Sequence, residues 1–105
     1  MAAFIGQGVP NFEIRDAQQG TDLLVKTPYL GAALAKCLGQ CPAATMRGHG
    51  AVVVGETVAR AVGRSIYLEM NAKMQLQAMQ LAGPGGQIVF MDEAEVADST
   101  SRQEY

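Results

Sequence analysis

The sequence predicts a small α/β domain, and three consecutive segments indicate this class. Residues 28–38 repeat apolar side chains every three or four positions, as one face of an α-helix does. Residues 43–54 contain two short stretches of strand-forming residues on either side of a glycine-flanked histidine. Residues 57–81 return to helical spacing over a much longer run. A helix, a β-hairpin and a long helix in this order are typical of an α/β chain.

Residues at the ends of both helical segments favour helix termini. Thr27 can cap the first helix, Pro28 suits its first position, and Gly39 ends it. Thr57 can cap the second helix in the same way, and the glycines and proline of 83–86 terminate it. At about 1.5 Å per residue, this second helix is predicted to be roughly 37 Å long.

The hairpin is predicted to pair a strand at 43–47 with a second strand at 51–54, through a tight turn at 48–50. Three outer segments have weaker patterns. Residues 11–15 and 87–91 are predicted as short strands, and 92–95 has the capping-box pattern that opens a final helix. We expect 99–105 to be a disordered polar tail.

The long helix has apolar residues on two faces, so we expect it to pack between two layers. One stripe consists of Val58, Ala61, Val62, Ser65, Leu68, Ala72, Leu76 and Met79, and the other of Ile66, Met70, Met74 and Leu81. The sheet would cover one stripe, and a neighbouring subunit or further sequence would cover the other. Because Met is an adaptable core filler, the second stripe favours an interface over a ligand groove.

Composition restricts the classes of function. The chain has 105 residues, of which 49% are apolar and 17% charged, below the roughly 25% charged of typical soluble domains. A net charge of −2 and scattered basic residues argue against a nucleic-acid partner. The N-terminal segment resembles neither a signal peptide nor a membrane span, so we expect a cytoplasmic protein.

Cys37 and Cys41 are predicted to be ordinary free thiols, because too few other ligands accompany them for a zinc knuckle.

His49 is the sole histidine and lies between Gly48 and Gly50. Histidine can act as an acid, a base or a metal ligand, and flanking glycines let the backbone approach a ligand closely. The alternative is that the glycines only form the turn and His49 is a polar residue at its edge. Spacing alone leaves both possibilities open.

Two further charged residues have alternative roles. Glu69 falls inside the main apolar stripe, where a carboxylate needs a partner. It either accepts a hydrogen bond that orients an imidazole, or forms a salt bridge with a cation such as Lys73. Arg47, beside the turn, either receives a carboxylate or phosphate ligand or forms a surface or inter-subunit ion pair.

Residues 28 to about 83 resemble the second half of the class II aldolase/adducin family. Within them, "MRGHG" is similar to the family's "LLRNHG"-like strand, "VVVG" to its "VVVVG", and "LEMNA" to the "LE-x-x-A" of the next helix. The resemblance implies a partial three-layer α/β/α fold, in which residues 1–105 form the C-terminal portion of the domain. Met1 would then correspond to an internal methionine.

The family includes sugar-phosphate aldolases, an epimerase, small decarboxylases and the non-enzymatic adducins. Its enzymes use a divalent metal, usually zinc, held by three histidines, and the resemblance implies that His49 is the third ligand. It also implies a small sugar-phosphate or carboxylated substrate and a homo-oligomer, a tetramer in the family. The His-x-His pair and phosphate loops of the family's first half are absent from this sequence.

Two hypotheses therefore follow. In the first, the chain is a fragment of a metal-dependent lyase, lacks most of the active site, does not bind zinc tightly alone and is inactive by itself. In the second, it is a truncated remnant or an adducin-like module that contributes only packing and association.

Overall fold

The computed structural model describes residues 3–6 and 8–102, which fall into two compact units. The sheet unit comprises Gly8–Val54, and the helical unit comprises Met1–Gln7 together with Gly55–Tyr105. Across the described residues there are three strands and three α-helices, together with two short 3-10 helices. This mixed α/β content confirms the predicted class and agrees with a partial class II aldolase-like fold.

The sheet unit has three strands in the order β1 (Asn11–Phe12), β2 (Ala43–Met46) and β3 (Gly50–Val53). β1 runs parallel to β2, and β2 runs antiparallel to β3, so the predicted hairpin is confirmed. The predicted strand at 11–15 is shorter than expected, because the Glu13 side chain accepts the Arg15 backbone N–H and caps a 3-10 helix at Ile14–Asp16.

Helix α1 (Pro28–Leu38) packs on this sheet and has the predicted ends. The Thr27 hydroxyl accepts the N–H of Leu30, and the C-terminal cap is Gly39 in a left-handed conformation, with φ 56°. The core of the unit is a cluster of buried Phe12, Ile14 and Leu30. Cys37 packs at its edge, and both cysteines are free thiols, as predicted.

The helical unit is dominated by α2 (Val58–Ala82), which begins and ends within one residue of the prediction. The Thr57 hydroxyl accepts the N–H of Arg60, and Gly83 forms the C-cap. None of its 25 residues is buried, and Val58 and Leu81 at its two ends are 81% and 90% exposed. Both predicted apolar stripes therefore include strongly exposed side chains.

The predicted strand at 87–91 is wrong, since these residues adopt no regular structure. Val89 is 95% exposed, and no described strand pairs with the segment. The capping box that follows is confirmed. The N–H of Glu95 donates to Asp92 Oδ1 at 2.8 Å, and the N–H of Asp92 donates to Glu95 Oε1 at 3.0 Å.

Helix α3 (Glu93–Arg102) extends past Ser99, where we expected a disordered tail to begin. The Ser101 hydroxyl donates to the Asp98 carbonyl, and the Thr100 hydroxyl donates to the Ala3 carbonyl, so this stretch has partners for its polar groups. Residues 103–105 of the predicted tail lie outside the described residues. No helix within the described ranges is both long and apolar enough to cross a membrane.

The core of the sheet unit should depend on Leu30, which is 1% exposed. Replacing it with alanine should lower the free energy of unfolding by about 2–4 kcal/mol, because a cavity replaces most of the side chain. Tyr29→Ala is the matched control, since this neighbour on the same helix is 65% exposed and should cost less than about 1 kcal/mol. Urea unfolding followed by circular dichroism measures both, and equal losses would contradict this assignment of the core.

Candidate functional site

Arg47, Gly48 and His49 form the turn that joins β2 to β3, which we call the histidine turn. The His49 N–H donates to the Met46 carbonyl at 3.0 Å and closes it. Gly48 has φ 70° and Gly50 has φ 147°, conformations that favour glycine. His49 itself is exposed at the turn. The glycines thus form the kink predicted from the sequence, and they present the imidazole at one end of the hairpin.

Leu23 packs closely against the histidine turn. A Cβ atom added to Gly48 would lie 2.9 Å from Leu23 Cδ1, which is closer than real contacts allow. Leu23 has a left-handed backbone, with φ 70°, although leucine has a Cβ atom that disfavours this conformation. Its side chain also packs against the core cluster of Phe12, Ile14 and Leu30. The turn therefore rests on a strained residue that the core holds in place.

Glu13 bridges two arginines, and the second of them, Arg47, belongs to the histidine turn. Its Oε1 accepts the backbone N–H and the Nε–H of Arg15, at 3.1 and 3.0 Å. Its Oε2 accepts from an Arg15 terminal nitrogen at 2.9 Å and lies 2.6 Å from Arg47 Nε. Of the two roles considered for Arg47, the structure shows the ion pair, and the partner is a carboxylate of the same chain.

These contacts shift the ionisation of Glu13. Hydrogen bonds from the Arg15 side chain, and then from the Arg15 backbone, lower the pKa of Glu13 from its ordinary value of 4.5 to about 2. A hydrogen bond from Arg47 acts in the same direction, while burial opposes all three. Glu13 is not among the site residues predicted from the sequence, because its partner Arg47 is distant in the chain and Glu13 itself belongs to no recognisable motif.

Glu69 lies in the helical unit, whereas His49 lies in the sheet unit. The Lys73 ammonium is 3.2 Å from Glu69 Oε1, and the Glu69 side chain is 71% exposed. This is the salt bridge that the sequence allowed as one of two alternatives. The carboxylate is therefore not buried, and the same is true of every other residue of α2. A role for Glu69 in orienting an imidazole stays a prediction.

The described residues do not by themselves fit a three-ligand metal centre. Among them, no three or more His, Cys, Asp or Glu side chains lie close enough together to hold an ion. His49 is the one imidazole in the sequence, so a three-histidine centre would need two ligands from elsewhere. The described residues therefore provide at most one histidine ligand to such a centre.

Comparison with known proteins identifies the same family as the motif around the histidine turn. The family model "Class II Aldolase and Adducin N-terminal domain" matches residues 1–76, which include the whole sheet unit and most of α2. The chain therefore belongs to the class II aldolase and adducin family, as the sequence motifs predicted. It is also similar to a curated protein, "Decarboxylase tropJ" of Talaromyces stipitatus, with 34% identity over 114 aligned residues. That alignment covers 91% of this chain and 43% of the relative, so the chain spans less than half of the relative's length.

The contacts of Glu13 with Arg15 and Arg47 should make the free energy of unfolding depend on pH in the acid range. Since folding lowers the pKa of Glu13 from 4.5 to about 2, its stabilisation is complete above pH 4.5 and is lost as the pH falls toward 2. Glu13→Gln should therefore reduce stability at neutral pH and approach wild type near pH 2. Arg47→Gln should remove a smaller part of this dependence, because the contacts from Arg15 are the larger cause. Urea midpoints across this range measure the effect, and parallel curves for wild type and Glu13→Gln would contradict it.

The packing of Gly48 against Leu23 should be separable from its backbone conformation. Gly20 has φ 69° with no atom near an added Cβ, whereas Gly48 has nearly the same φ with Leu23 at 2.9 Å. Gly20→Ala should cost about 1–2 kcal/mol from the left-handed backbone alone. Gly48→Ala should cost more than this, because Leu23 must also move. Thermal or urea unfolding compares the two variants, and equal destabilisation would show that Leu23 does not support the turn.

Proposed function

We propose that this chain contributes part of the active site of a class II aldolase-family lyase, a decarboxylase or an aldehyde-lyase. The observation that supports this most directly is the family match over a segment that contains His49, exposed on a glycine-flanked turn. The similar protein carries the name decarboxylase, which favours cleavage of a carboxyl group. A small carboxylated or sugar-phosphate substrate is therefore the expected class.

In this proposal His49 is one ligand of a divalent metal, with zinc the expected ion. Its exposure leaves the imidazole accessible, and its turn is held by the contacts of Arg47 with Glu13 and of Gly48 with Leu23. When bound, such a metal would polarise a carbonyl or hydroxyl of the substrate. The other ligands would come from residues that the structure does not group with His49, or from another chain. The 105-residue chain alone is expected to bind zinc weakly and to lack lyase activity.

The alternative proposal is a non-catalytic module of the adducin type. It is favoured by the absence of any three-ligand group in the described part of the chain and by the exposed apolar stripes of α2. Such a module would contribute association surface only. In both proposals the chain forms a homo-oligomer in the cytoplasm and binds neither nucleic acid nor membrane.

A chimera tests the enzymatic proposal. Residues 1–105 would replace the aligned segment of the decarboxylase from Talaromyces stipitatus, which supplies the rest of a full-length protein. The chimera should bind one zinc ion per chain and release CO2 from that enzyme's substrate. His49→Ala in the chimera should abolish tight zinc binding and reduce turnover by at least about 100-fold. Glu56→Gln, at an exposed ion pair with Arg60, is the matched control and should change neither.

The other outcomes separate the hypotheses. A folded chimera that binds zinc but shows no turnover would favour the non-catalytic module. Unchanged zinc content and turnover in the His49→Ala chimera would exclude His49 as a ligand. Tight stoichiometric zinc binding by the 105-residue chain itself, lost in His49→Ala, would contradict the view that most ligands lie elsewhere.

A further inference from the structure

We propose that Glu13 is a positioning residue that fixes the histidine turn through Arg47. The relevance of this contact to function rests on the proposed role of His49, whereas the contact itself is present in the structure. Within the turn, the Glu13 carboxylate forms its ion pair with Arg47. It therefore acts on His49 indirectly, by restricting the residue two positions before it.

The pairing of β1 with β2 places Glu13 beside the turn. Phe12 is in register with Met46, and the Arg47 N–H donates to the Phe12 carbonyl at 3.1 Å. The next residue after Phe12 is Glu13, and the next after Met46 is Arg47. Because β1 and β2 are parallel, the residues that follow each strand lie at the same end of the sheet. The carboxylate and the guanidinium consequently meet where the hairpin turns.

Glu13 is held in place by Arg15 independently of its contact with Arg47. Three hydrogen bonds from Arg15, one of them from the backbone, fix both carboxylate oxygens. An exposed ion pair ordinarily contributes little, since two long side chains must be ordered to form it. Here one partner is already ordered by a local contact and is only 22% exposed, so less entropy is lost when Arg47 binds.

Each residue of the histidine turn then has its own restraint. Arg47 is held by the Phe12 carbonyl and by Glu13, Gly48 is held against Leu23, and the His49 N–H is held by the Met46 carbonyl. Without the Glu13 charge, the Arg47 side chain is released and the turn can adopt more conformations. A reacting group must be held within about 0.5 Å of its productive position, so this loosening would affect the placement of the imidazole.

Hydrogen exchange by NMR tests the proposal on the chain as it exists. We expect Glu13→Gln and Arg47→Gln each to speed exchange of the His49 amide by about two- to fivefold, the effect of one modest ion pair. Arg47→Lys keeps the positive charge and should restore part of the protection. The Leu34 amide in α1 is the internal reference, and its exchange should rise less than that of the His49 amide, because it reports only the loss of overall stability. Glu56→Gln breaks an exposed ion pair in the other unit and is the control variant.

A double-mutant cycle separates positioning from the capping role of Glu13. Arg47→Gln leaves the contacts between Glu13 and Arg15 in place, yet it should reproduce the effect of Glu13→Gln on His49 exchange. The double variant should add nothing to either single change. The single imidazole of the chain gives unambiguous ring resonances, and these should shift together in both variants.

Two results would overturn the proposal. One is an unchanged His49 amide in Glu13→Gln. The other is an equal rise in exchange for His49 and Leu34, which would mean that the variant only lowers global stability. Neither metal nor substrate is needed, so a failure here is distinct from a failure of the zinc and turnover measurements on the chimera.

Discussion

The sheet unit depends on a parallel ladder only two residues long. Asn11 and Phe12 pair with Thr45 and Met46 across a long intervening segment, so the loop-closure entropy of that segment opposes the contact. The burial of Phe12 under α1 offsets this cost, because hydrophobic burial is the main favourable term in folding. Core packing, the partner of Arg47 and the support of the histidine turn all follow from this single register.

The two units differ in how they are stabilised. In the sheet unit, buried side chains from β1, the adjacent 3-10 helix and α1 form one cluster. In the helical unit, the contacts of α2 include its Thr57 cap, its Gly83 terminus, the Arg64 guanidinium over the Phe4 ring and ion pairs such as Glu69–Lys73. Exposed pairs of this kind contribute only a few tenths of a kcal/mol. Among the described residues, the buried cluster of Phe12, Ile14 and Leu30 therefore lies in the same unit as the proposed ligand.

The sequence predicted features that depend on neighbouring residues and missed those that depend on distant ones. Thr27, Gly39 and Thr57 set helix ends through local hydrogen bonds, and the glycines around His49 set the turn locally. The pairing of Glu13 with Arg47 needs the strand register, which no local pattern encodes. The segment 87–91 has strand-forming residues, but a strand also needs a partner, and the described residues provide none.

The exposure of α2 also determines how the chain responds to temperature. The heat capacity change of unfolding comes mainly from apolar surface that becomes exposed to water. α2 contains many of the chain's large apolar side chains, but most of them are already between 43% and 90% exposed, so its melting releases less such surface than a buried helix would. Its contribution to the curvature of stability with temperature is therefore smaller than that of a buried helix of the same composition. Any surface that covers its two stripes would increase the heat capacity change of unfolding, and with it the curvature of stability with temperature.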